Sequence, residues 1–154
     1  MADYYADSSA LVKRHVHEAG TAWFRALCDP TAGNVIVTAR ISMVEVYSAL
    51  NRRQREARLA STDYADIVAD FITVCATEYQ LVELTVPVVE RAKSLLERHP
   101  LRAYDAVQLA SALLIQEVLQ SADLPPLTFL AADDQLLTAA QTEGLTADNP
   151  SLHP

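Results

Sequence analysis

The chain has 154 residues, 51% of them apolar, and a net charge of −8. That is enough for one globular domain with its own core, and it excludes a disordered or disulfide-stapled chain. Residues 1–60 hold eight Lys/Arg against six Asp/Glu, and residues 61–154 hold four against fourteen. The acidic total argues against a general coat for nucleic acid or anionic membrane, but a cluster of acids that hold metal ions would itself be negative.

Tyr4-Tyr5-Ala6 reads as a short buried strand, with Asp7 where it ends and Ser8-Ser9 opening an apolar, helix-like run. Ala10–His17 and Thr21–Leu27 read as two short helices parted near Gly20, and residues 28–34 are dense in turn formers. Val35–Thr38 is a β-branched second strand. Ser42 is expected to begin a helix with an apolar stripe of Met43, Val44, Val46, Tyr47 and Leu50 and a basic end over Asn51–Arg58. A further helix starts at Thr62, Leu81–Leu84 is a weak third strand, and Pro87 suits the first turn of a helix over Val88–Arg98. Ala103–Leu119 is a long apolar helix with Val107, Ala110, Leu113, Leu114 and Val118 at helical spacing. Leu127–Ala131 is the fourth strand, Asp133-Asp134 leads into Gln135–Thr142, and Gly144 suits the helix end. Leu145-Thr146 adds a short fifth strand before a loose tail over Asn149–Pro154. Strands alternating with helices imply a central, mostly parallel sheet of four or five strands with helices on both faces. Residues 1–150 read as one domain, with 151–154 as its short C-terminal tail.

Cys28 and Cys75 are isolated and read as reduced core thiols. The N-terminal residues lack a leader pattern, and no window reaches about 18 uncharged apolar residues, so a cytoplasmic location away from membranes is expected.

Four carboxylates hold informative positions. Asp7 follows strand one, Glu45 lies in the first turn after strand two, Asp105 begins the long helix, and Asp133 follows strand four. In a parallel sheet, strand C-termini and the helices that follow share one edge, so Asp7, Glu45 and Asp133 meet there by topology. Asp105 joins them only if its helix begins at that edge. Each acid also has a structural reading: Ser42–Glu45 matches a capping box, Asp105 suits a helix dipole, and Asp133 suits an N-cap. Four acids at one edge would raise one another's pKa unless a cation sat among them, and hard oxygen ligands favour Mg2+ or Mn2+. Such an ion suits phosphodiester hydrolysis. Ser8, Ser9 and Thr38 are candidate supporting hydroxyls near the same edge. Lys13, Arg14, Arg52 and Arg53 are candidate contacts to a nucleic-acid backbone. The four histidines are read as outside the chemistry.

Four blocks in order then resemble one family: Tyr5–Lys13, Ser42–Leu50, Leu101–Ala110 and Phe129–Leu137 with the trailing Gly144-Leu145 and Asn149-Pro150. The chain is similar to PIN-domain proteins, and specifically to the VapC toxins of bacterial type II toxin–antitoxin pairs. The resemblance implies a three-layer α/β/α sandwich and an Mg2+- or Mn2+-dependent endoribonuclease, usually a homodimer. It also implies RNA as substrate and a small VapB-like antitoxin lying across the active-site groove. Asp7, Glu45 and Asp105 fall on the family's first three acids, and Asp133 falls on the fourth, with Asp134 competing for that place.

Other classes fit less well. A haloacid-dehalogenase phosphatase generally needs an aspartate where Ser9 stands, and a phospho-receiver domain needs an aspartate near Leu81–Thr85 and a late lysine. A non-catalytic interaction module predicts four unrelated helix caps and no divalent ion.

Overall fold

Five strands spaced by helices build one sheet in the computed structural model, which describes residues 1–154. The elements are β1 (Asp3–Ala6), α1 (Ser8–His15), α2 (Thr21–Cys28), β2 (Val35–Ala39), α3 (Ile41–Arg55), α4 (Ser61–Thr77), β3 (Gln80–Val82), α5 (Val86–Arg98), α6 (Ala103–Ser121), β4 (Thr128–Leu130), α7 (Asp134–Thr142) and β5 (Thr146–Asp148). The strands lie in the order β3-β2-β1-β4-β5, and every neighbouring pair is parallel. Parallel neighbours need long crossovers, and helices supply each one. No helix is long and apolar enough to cross a membrane.

Strand side chains alternate between two cores, as a period of two requires. Tyr5, Val37 and Phe129 pack with Val88, Leu95, Leu109 and Leu136 from α5, α6 and α7. Ala6, Ile36 and Leu130 pack on the opposite side with Leu11, Phe24, Leu50 and Phe71 from α1 to α4. This is the expected three-layer α/β/α sandwich. Fully burying one such Leu or Phe contributes about 1.5–3 kcal/mol, so the paired cores hold β1 rigidly at the centre.

The chain winds outward through β1, β2 and β3, then returns to place β4 on the other side of β1. The crevice beyond the C-terminal ends of β1 and β4 is therefore the reversal point where open parallel sheets take ligands. Two bonds stitch its walls together: the Asp7 N–H donates to the Leu130 carbonyl at 3.0 Å, and the Ala132 N–H donates to Ser9 Oγ at 2.9 Å.

Three sequence expectations are corrected. Ser42 does not cap a helix; α3 begins at Ile41 with no side-chain cap, and the Ser42 hydroxyl turns inward to Thr38 and Gln108. Buried partners with no competing water outweigh the local capping pattern. Val118, expected on the inner stripe of α6, is exposed, while Gln108 and Ser111 are buried there. The chain end is not loose. Pro150–Leu152 forms a 3-10 turn, and His153 stacks on Trp23 at 4.1 Å. Gly20 makes this docking feasible, because at φ +88° a Cβ on it would stand 2.1 Å from the Pro150 carbonyl oxygen.

Candidate active site

Asp7 is placed by the end of β1 and the start of α1, where it is the N-cap residue. Its Oδ1 accepts from the Ala10 N–H at 3.0 Å and from the Ser9 hydroxyl at 2.6 Å. Oδ2 accepts no hydrogen bond from the protein. The residue is only 4% exposed. Burial pushes its carboxyl up to about 7, against the two hydrogen bonds, and the nearby charges of Glu45 and Asp105 add to the rise. A buried acid with a free oxygen and acidic neighbours needs a cation before it ionises readily.

Glu45 sits one turn into α3, held from two sides. Gln108 Nε2 donates to its Oε1 at 2.7 Å, and the Ser8 hydroxyl donates to its Oε2 at 3.1 Å. Burial is the main cause that holds its carboxyl above the usual range; Asp105 adds to this, and the two donors oppose it. Behind it runs a buried chain of polar side chains. The Tyr5 hydroxyl lies 2.6 Å from Gln108 Oε1, Gln108 Nε2 also donates to Ser42 Oγ at 2.7 Å, and Ser42 Oγ lies 2.7 Å from Thr38 Oγ1. Burial holds the Tyr5 phenol well above its ordinary range, so it remains a donor. That donation fixes the Gln108 amide, leaving both Nε2 hydrogens for Ser42 and Glu45. Thr38, fully buried, ends this chain at Ser42 and does not touch Glu45.

Asp105 does reach this edge. It lies in the first turn of α6, close enough for its charge to act on both Asp7 and Glu45. Asp133 is the N-cap of α7, its Oδ1 accepting from the Leu136 N–H at 3.0 Å. Arg102 joins these two acids, with Nε 3.2 Å from Asp105 Oδ2 and Nη2 3.7 Å from Asp133 Oδ2. Asp134 is exposed and borders a different hollow, beside His99 and Gln135.

From the crevice a groove of about 480 Å³ extends along α3, lined among others by Ser8, Glu45, Arg52, Arg53, Tyr104 and Val44. Tyr104 and Val44 are exposed. Arg52 is exposed at the rim, and Arg53 pairs with Glu18 at 3.1 Å. Lys13 and Arg14 are engaged within the protein instead. The Lys13 ammonium is buried against Glu18 at 3.0 Å and the Ala19 carbonyl at 2.9 Å. Arg14 pairs with Glu78 at 2.6 Å and lies over the Tyr79 ring.

As the side chains stand, no three acid, histidine or cysteine groups lie close enough to enclose an ion. The hydrogen bonds give the reason. Gln108 and Ser8 hold Glu45, while Arg102 draws Asp105 and Asp133 towards itself. The donor chemistry nevertheless fits a hard divalent ion, since the converging groups are all carboxylate oxygens and one belongs to a buried, protonation-prone acid. Gln108, Tyr5 and Arg102 are the residues that reading the sequence did not single out. A polar residue at helical spacing from Asp105 within an apolar helix was the available signal for Gln108.

Comparison with known proteins follows the same lines. The family model of the PIN domain matches residues 4–125. Ribonuclease VapC45 of Mycobacterium tuberculosis is 33% identical over 150 residues, covering 97% of this chain and 97% of that protein. Among solved structures, VapBC2 from Rickettsia felis, bound to a DNA fragment from its promoter, superposes with a TM-score of 0.63 at 10% identity, covering 96% of this chain and 98% of that one. The Sarcin-Ricin loop cleaving toxin VapC20 of M. tuberculosis gives 0.61 at 18% identity, covering 98% and 99%.

Proposed function

The chain belongs to the PIN-domain family, in its VapC branch, and from that premise we propose that it is an Mg2+- or Mn2+-dependent endoribonuclease, the toxin of a toxin–antitoxin pair. The observation that carries this reading is a buried Asp7 with a free oxygen, next to a Glu45 held by Gln108 and Ser8 at the head of a groove bordered by Arg52 and Arg53, with the Asp105 charge acting on both.

In this reading Asp7, Glu45, Asp105 and Asp133 hold the ion. Bound there, it would lower the pKa of the attacking water and offset charge on the scissile phosphate. Ser9 and the Ala10 N–H keep Asp7 in place, and Gln108 and Ser8 orient Glu45. Arg52 and Arg53 flank the RNA backbone along the groove, with Tyr104 offering an exposed ring to an unstacked base. Lys13 supports Arg53 indirectly, because both engage Glu18. The single nuclease domain spans residues 1–150.

The partner is a small VapB-like antitoxin whose basic segment lies along the groove, where the acidic character of the chain would speed its docking. The toxin acts in the cytoplasm as a homodimer.

The test is incubation of total cellular RNA with purified, partner-free protein in Mg2+, in Mn2+ and in chelator, beside Asp7→Asn. Discrete metal-dependent fragments that vanish in the variant are expected. Absence of products together with absence of Mn2+ binding would refute the nuclease reading.

A further inference from the structure

Arg102 is the one cation placed against the acids themselves. It precedes α6, its backbone is extended, and its side chain is 83% exposed while touching both Asp105 and Asp133. Glu45 also lies within reach of its charge. Its contacts, at 3.2 and 3.7 Å, are loose and open to solvent. Exposed pairs of this kind hold weakly and exchange easily. Of the other cations near the groove, Lys13 and Arg53 are tied to Glu18, and Arg52 stands exposed at the rim without touching the acids. Only Arg102 both neutralises the crevice and is free to leave it.

The same two carboxylates cannot serve a guanidinium and a divalent ion together, because the ion needs their oxygens and repels the guanidinium. Arg102 is anchored at the lip beside Tyr104, so its displaced side chain stays at the mouth of the groove. Its planar donors match two phosphate oxygens at once. We infer that Arg102 is a resident counter-cation of the crevice, spanning Asp105 and Asp133 while they are free of metal and holding an RNA phosphate once displaced. This rests on the nuclease reading above. It makes Arg102 a competitor of the metal and a helper of the RNA, two effects of opposite sign from one side chain.

The experiment compares the full chain with Arg102→Ala and Arg102→Lys. Mn2+ binding without RNA is followed by the electron paramagnetic resonance of the free ion. Arg102→Ala is expected to bind Mn2+ about two- to tenfold more tightly, the range allowed by two exposed ion pairs, with Arg102→Lys nearer the wild type. Binding of a short fluorescein-labelled single-stranded RNA is then followed by anisotropy against salt, in Ca2+ and in chelator. In Ca2+, Arg102→Ala should bind more weakly, with a salt slope shallower by about 0.7, one phosphate contact on a single strand. In chelator the loss should be smaller, since there Arg102 acts only by balancing the acids.

Unchanged or weaker Mn2+ binding by Arg102→Ala overturns the inference, and so does an equal loss of RNA binding with and without Ca2+. Either result leaves the nuclease reading standing if the wild type still cuts RNA. A wild-type protein that binds no Mn2+ brings down both.

Discussion

The two sides of the crevice are built differently. On one side, Asp7 and Glu45 are held by hydrogen bonds from Ser9, Ala10, Gln108 and Ser8, with a buried polar chain behind Glu45. On the other, Asp105 and Asp133 share an exposed arginine. The first side is preorganised by the core and carries its charge against burial. The second is neutralised by a group that can leave. Fixed hydrogen bonds give the first side its geometry, while an exposed ion pair gives the second an exchangeable charge balance.

The largest effect should come from breaking the rigid side at Asp7. Asp7→Asn keeps the cap, since the amide oxygen can still accept from Ala10, but it removes the charge. RNA cleavage should fall by at least about three orders of magnitude. Thermal melting of the metal-free protein should rise, because a buried acid pushed up to about 7 is replaced by a neutral group. A metal-free variant that melts below the wild type would show that the burial of Asp7 is not destabilising.

Gln108→Leu tests the support of Glu45. It strands the Tyr5 hydroxyl and one oxygen of Glu45 and leaves Ser42 with Thr38 alone, so Mn2+ affinity should drop about 10- to 100-fold and stability by about 1–3 kcal/mol. Tyr5→Phe should move both in the same direction by less. Calorimetric Mn2+ titration and chemical denaturation read the two quantities.

The pH dependence sharpens the contrast further. If Asp7 holds the ion as proposed, it must be ionised to do so, and Mn2+ affinity should rise about tenfold per unit below about 7 and level off above it. Stability of the metal-free protein should move the other way. The folded carboxyl keeps its proton up to about 7, against an ordinary value of 3.8, so the unfolded chain binds fewer protons in between. Stability contributed by this group is full below the lower value and is lost as pH rises through the upper one. Melting followed from acid to neutral pH checks the slope, and Asp7→Asn should flatten it.

The smallest effects belong to the open side. Asp133→Asn should raise the Mn2+ concentration needed for half-maximal cleavage about three- to tenfold, a loss of one partly exposed charge. Asp134→Asn should leave it within about twofold, since Asp134 faces away towards His99. Equal losses from the two would place the fourth acid wrongly.

Local pattern was sufficient for the element order, the parallel sheet and the presence of Asp7, Glu45 and Asp133 at one edge. Strand period, helix period and turn residues are short-range signals, and alternating strands with helices leaves few ways to arrange a parallel sheet. The N-cap role of Asp133 was legible for the same reason, while that of Asp7 emerged only in the structure. Tertiary structure decided whether Asp105 joined the others, that Ser42 turned from helix cap to buried partner, and that Lys13 was spent on Glu18 and Ala19. It also decided the Tyr5–Gln108–Glu45 chain and the hold of Arg102 on Asp133, contacts between residues far apart in the chain. Side-chain partners across a core depend on how the helices pack, and no spacing along the chain encodes which polar group will find which.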